Sequence, residues 1–104
     1  MAQVLATTYW NVTLGKDLEF IETCKRGKKI HLRLGASNAM LQSVSVGVNF
    51  GQYVYNMVFE SGVAYGKFID TVSTDSEWIA LWAEGVAKQI ATPMGNRLST
   101  LIEI

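Results

Sequence analysis

Over most of the first seventy residues, apolar and polar positions alternate with a period of two, the pattern of strands with one buried face. Val4, Ala6, Thr8, Trp10, Val12 and Leu14 fall on one face, and Thr7, Tyr9, Asn11 and Thr13 on the other. Gly15-Lys16-Asp17 supplies a turn. Leu18 to Lys25 carries β-branched and aromatic residues in a blurred alternation and is predicted as a second strand. Arg26-Gly27 reads as the following turn, glycine serving where φ must be positive. Ile30, Leu32 and Leu34 alternate with His31 and Arg33 until Gly35-Ala36-Ser37-Asn38 breaks the run. Val44, Val46, Val48 and Phe50 alternate with Ser43, Ser45, Gly47 and Asn49 in the clearest strand signal of the chain. Tyr53 to Glu60 is apolar on both faces, which predicts a central strand or one covered by a helix or partner. Val63 to Val72 reads as a further strand, with a bulge or close backbone approach at Gly66.

The period changes at Thr74. Thr74-Asp75-Ser76-Glu77 fits a capping box, in which the threonine hydroxyl satisfies an orphan amide and Glu77 reaches back. Beyond it Trp78, Ile79, Trp82, Ala83, Val86 and Ile90 gather into one helical arc, with Glu77, Glu84 and Lys88 opposite. Pro93 is expected to end this helix, and Arg97 to Ile104 fits either a helical turn or a last strand. The fold expected is α+β, a single domain over residues 1–104: an antiparallel β-meander of about five to six strands followed by one amphipathic helix, about 75–91, packed on the sheet.

Composition narrows the functional classes. Nine Lys+Arg balance nine Asp+Glu at a pI near 6.6, so a basic surface for nucleic acid or membrane is not the default. The single cysteine, Cys24, allows no internal disulfide and favours a reducing, cytoplasmic setting. The N-terminal residues lack the basic region of a signal peptide, and no apolar run reaches membrane-spanning length, so no membrane partner is expected. A hydrophobic share of 49% implies either a generous core or apolar surface kept for a partner, which leaves a homodimer open.

Charge is segregated within that neutral balance. The stretch Cys24 to Arg33 holds Lys25, Arg26, Lys28, Lys29 and Arg33, five of the nine basic residues, and leaves four against nine acidic ones elsewhere. With Arg26-Gly27 as a two-residue turn, Cys24 pairs with Lys29, Glu22 with His31 and Phe20 with Arg33. The basic groups then crowd one protruding tip, with Phe20 and His31 behind them and Tyr9 near by. Such a tip could hold phosphates while rings stack on bases, or could be a solvated end whose lysines discourage edge-to-edge aggregation. Tyr9, Tyr53, Tyr55 and Tyr65 read as cross-strand packing before they read as a stacking platform.

Catalytic chemistry finds little support in the pattern. Neighbouring lysines would lower the Cys24 thiol pKa, yet His31 is the only histidine and faces Glu22 in the expected register. One cysteine and one histidine do not complete a tetrahedral zinc site, and no cofactor motif is present, so neither metal nor cofactor is expected. Gly62-Val63-Ala64-Tyr65-Gly66-Lys67-Phe68 is one residue short of a phosphate loop and has Phe68 in place of the metal-binding hydroxyl. Asp70, Asp75 and Glu77 suit the positive end of a helix dipole.

The sequence therefore points to a non-enzymatic protein that docks on a macromolecular partner, most naturally a protein, in the manner of the small inhibitors and adaptors that phages and mobile elements carry. The alternative is single-stranded nucleic-acid binding through the basic hairpin 24–33 and sheet aromatics. The expected contact residues are Lys25, Arg26, Lys28, Lys29, His31, Arg33, Tyr9 and Phe20.

Overall fold

The computed structural model describes residues 2–104. Four strands and three helices follow one another as β1 (Val4–Val12), α1 (Asp17–Arg33), β2 (Asn38–Ser43), β3 (Tyr53–Phe59), α2 (Gly62–Val72), α3 (Ser76–Ala87) and β4 (Ala91–Thr100). The strands form one antiparallel sheet in the order β2-β3-β1-β4. This is the split βαβ arrangement of ferredoxin-like folds, with the second crossover built from two helices. The α+β class and the antiparallel sheet agree with the sequence reading. The expected five to six strands and single helix are corrected to four strands and three helices.

The largest correction is α1, which replaces two strands and a hairpin. Read at helical spacing, Phe20, Cys24, Gly27 and His31 form one stripe, and Phe20, Gly27, Ile30 and His31 are buried. Asp17 and Glu19 stand in the first turn and Arg33 in the last, each complementing the helix dipole. The alternation of Ile30, Leu32 and Leu34 was a coincidence of two periods: Leu32 points outward at 41% exposure, while Ile30 is buried.

The other corrections have similar causes. Residues 63–72 form α2, in which Ser61 caps the helix by accepting from the Ala64 amide at 3.1 Å. Its Ala64, Tyr65, Phe68 and Val72 turn together onto the core. The alternating run from Val44 to Phe50 lies in the β2–β3 connection, with positive φ at Gly47, Asn49 and Gly51. Val46, Val48 and Phe50 there are 86%, 88% and 71% exposed, so alternation without a surface to bury it makes no strand. Helix α3 ends at Ala87, its N-cap is Asp75 rather than Thr74, and Gln89 turns the chain with φ 51°. Pro93 therefore lies within a strand. It sits in the edge strand β4, where the β1–β4 register shifts between Tyr9 and Trp10, one of the few sheet positions that tolerate a missing amide.

The sheet turns one face to the helices. Val4, Ala6, Thr8 and Trp10 of β1 align on that face with Phe59, Met57, Tyr55 and Tyr53 of β3. At one end, Val4, Ala6, Ala36, Phe59 and Phe68 close into a solid core. At the other end, Thr8, Trp10 and Tyr55 look across a gap towards α1 and α3, and the core is hollow. On the opposite face, Thr7 donates to Asn56 at 2.8 Å and Asn56 donates to Gln42 at 2.9 Å, a polar chain across three strands.

Candidate functional site

The hollow end holds a cavity of about 430 Å³ between the sheet, α1 and α3. That volume suits a small organic molecule rather than an ion or a peptide. Its walls come from residues at helical or strand spacing that point inward. They are Thr8 and Trp10 from β1, Phe20, Cys24, Gly27 and His31 from α1, Tyr55 and Met57 from β3, and Trp78, Leu81 and Trp82 from α3. The exposed lining residues Trp82, Val86, Pro93 and Asn96 mark the mouth, on the side where no helix covers β4.

Aromatic rings make up much of this wall. Trp10 lies 5.7 Å from Phe20 and 5.8 Å from Trp82, and Trp78 lies 5.6 Å from Trp82, between ring centroids. The His31 ring completes the series at 4.6 Å from Trp78 and 5.4 Å from Tyr55. These tilted pairs hold one another at favourable angles and fix the cavity's shape.

His31 is the polar centre of this wall. Its Nδ1 is hydrogen-bonded to the Tyr55 hydroxyl at 2.7 Å. Nε2 has no hydrogen-bond partner among the described residues, and the ring lines the cavity. Burial pushes the imidazole pKa down to about 4, leaving the ring neutral at pH 7. Burial also pushes the Tyr55 phenol upward, so it stays protonated. The expected activation of Cys24 is corrected: burial pushes its thiol up to about 12, and none of Lys25, Lys28 and Lys29 lines the cavity with it. No cluster of three or more His, Cys, Asp or Glu side chains that could hold a metal ion occurs among the described residues.

The predicted contact residues are dispersed, because the hairpin that would gather them is a helix. Lys25 pairs with Glu22 on α1 at 3.0 Å, and Arg26 reaches Glu84 of α3 at 2.5 Å. Arg33 bridges Asp75 and Glu77 at the start of α3, both at 2.9 Å. Lys28 is half-buried and Lys29 exposed on α1. Tyr9 lies on the far face of the sheet beneath Arg97, 6.0 Å from its ring centroid. Only His31 and Phe20 of that set come together, and they do so inside the cavity. Tyr53, Tyr55 and Tyr65 pack against Phe20, His31 and Phe59, so they make no shared platform. Trp10, Trp78 and Trp82 were read as strand face and helix core. The inward stripe Phe20, Cys24, Gly27, His31 was the missed signal that would have set a second wall opposite them.

Fold and cavity together define a small α+β domain with a ring-lined interior pocket. No protein-family model matches the sequence, and no curated protein is significantly similar to it. Solved structures do share the fold. A NIPSNAP family protein from Agrobacterium tumefaciens superposes with a TM-score of 0.74 at 14% identity, over 97% of this chain and 87% of that one. SnoaB, a cofactor-independent oxygenase from Streptomyces nogalater, gives 0.73 at 14% identity, over 100% and 97%. A putative antibiotic biosynthesis monooxygenase from Chloroflexus aurantiacus gives 0.67 at 9% identity, over 97% and 94%. The expectation of a non-enzymatic inhibitor, adaptor or nucleic-acid binder is thereby corrected: the protruding basic tip does not exist, and the fold is one that carries an oxygenase. Among the described residues no helix is long and apolar enough to cross a membrane.

Proposed function

We propose that this chain is an enzyme acting on a flat, mostly apolar ring compound that bears a hydroxyl group, and that the reaction is an oxygenation. The observation that carries this reading is an aromatic-walled cavity lined by a single imidazole, His31, whose Nε2 has no hydrogen-bond partner among the described residues. Trp10, Phe20, Trp78 and Trp82 would stack on or edge against the rings. The Tyr55 hydroxyl engages Nδ1 and fixes the ring, so that Nε2 is left to share a hydrogen bond with the ligand hydroxyl and set its orientation. Water is excluded by the same apolar walls.

A ring phenol can supply the electrons itself. In its keto tautomer the ring carries a CH₂ carbon; dioxygen delivers one atom to that carbon, and the second atom leaves as water with its two hydrogens, giving a quinone. The balance needs no external reductant. The likeness to a cofactor-independent oxygenase supports this choice of reaction class.

Two- and three-ring phenols titrated into the protein test the reading, with Trp10, Trp78 and Trp82 reporting through their emission. Saturable quenching, followed by uptake of one dioxygen per quinone formed, is the expected result. Binding without oxygen uptake limits the function to binding, and no saturable binding by any phenol overturns the reading.

A further inference from the structure

Two glycines in the walls of the cavity lack the usual reasons for being glycine. Gly27 lies in the middle of α1 and Gly85 in the last turns of α3. Glycine is the least favourable helix residue after proline, so its place inside a helix calls for a cause. Neither residue has a positive φ, which occurs among the glycines at Gly15, Gly35, Gly47 and Gly51. Close packing does not require them either. A Cβ on Gly27 would meet His31 Cε1 and Trp78 Cζ3 at 3.7 Å and Leu81 Cδ2 at 3.8 Å, ordinary contact distances. A Cβ on Gly85 would meet nothing within 4 Å.

What the two share is the cavity, which both line, from opposite helices. The atoms nearest the absent Gly27 Cβ all belong to cavity-lining residues, so that space adjoins His31, the polar centre of the wall. We infer that Gly27 and Gly85 are specificity-determining residues, their missing side chains widening the cavity between α1 and α3 so that it admits a ring system too long for an alanine-lined pocket. This rests on the ligand-pocket reading above and adds to it that the ligand extends into the space beside Gly27 and Gly85. Gly66 supplies the internal control, since it is helical and meets nothing within 4 Å, yet faces outward from α2 and takes no part in the cavity.

Gly27→Ala, Gly85→Ala and Gly66→Ala, each examined by urea unfolding and by binding of 1-naphthol and a three-ring phenol, decide the matter. All three are expected to raise the urea midpoint. Gly27→Ala and Gly85→Ala should weaken the three-ring phenol by about tenfold, the scale at which one methyl group matters in a filled pocket, and leave 1-naphthol within about twofold. Gly66→Ala should alter neither affinity. Unchanged three-ring binding in both cavity variants, with wild-type binding intact, overturns the size inference alone. Failure of the wild type to bind either phenol removes the pocket reading and this inference together.

Discussion

Protonating His31 should destabilise the fold by an amount its surroundings set. The ring is 5% exposed and packed against Trp78, Phe68 and Tyr55. The groups facing it do not titrate between pH 4 and 7: the Tyr55 phenol and the Cys24 thiol are both held neutral by burial. No carboxylate or ammonium group is among the described cavity-lining residues to support an imidazolium. In the unfolded chain the imidazole titrates near 6.5, and in the fold burial lowers it to about 4. Between those values the unfolded state binds a proton that the native state does not. Stability is therefore complete above 6.5 and is lost as pH falls towards 4. At about 1.4 kcal/mol per pH unit, the window is worth about 3 kcal/mol. Urea unfolding of the wild type and His31→Gln, followed by tryptophan emission from about pH 7.5 to about 4.5, isolates the term. Background losses from carboxylates such as Asp75 and Glu84, which their arginine partners hold below the ordinary range, occur in both proteins and cancel. The wild type should lose most of the 3 kcal/mol relative to the variant. Curves that stay parallel within roughly 0.5 kcal/mol would refute the reasoning.

Three further outcomes follow from the same geometry. Thr7→Val keeps the shape of a side chain that is 2% exposed but leaves the Asn56 carbonyl oxygen without its donor, and should cost about 1–3 kcal/mol in urea unfolding. Cys24, with its thiol near 12, should react with iodoacetamide at mildly alkaline pH about a thousandfold more slowly in the native than in the unfolded protein, and comparable rates would place the thiol outside the cavity wall. Asp75→Asn should retain the cap on α3, which accepts from the Trp78 amide at 2.9 Å, while weakening the tie to Arg33; Asp75→Ala loses both and should give the lower melting temperature of the two.

The strands that the sequence made legible were those with a face to bury. In β1 and in β3, which lies between β2 and β1, the face that turns to the helices is the one the alternation marks, although Thr7 and Asn56 are buried on the other face. Helix α3 was legible from its apolar arc, although its start lay one residue further on and its end came several residues sooner. Helix α1 was hidden because Gly27 reads as a turn and because Ile30 and Leu34 fit a period of two as well as a helical one, with the exposed Leu32 completing the false alternation. A glycine that serves the cavity therefore disguised the helix that bears it. Gly66 misled in the same way in α2. The site was partly legible: His31 and Phe20 were singled out, for a surface they do not reach. What placed them inside was tertiary, since Trp10, Tyr55 and Trp78 lie on three different elements and meet His31 and Phe20 only when the sheet is covered.

The account rests on a ligand reaching His31 Nε2 inside the cavity, and His31 is the only histidine in the chain. Its two ring nitrogens can therefore be followed without ambiguity by ¹H–¹⁵N correlation during titration with a three-ring phenol. The predicted result is a saturable shift at Nε2, larger than that at the Tyr55-bound Nδ1 and tracking the tryptophan quenching. Quenching that saturates while both ring nitrogens stay unmoved would contradict it.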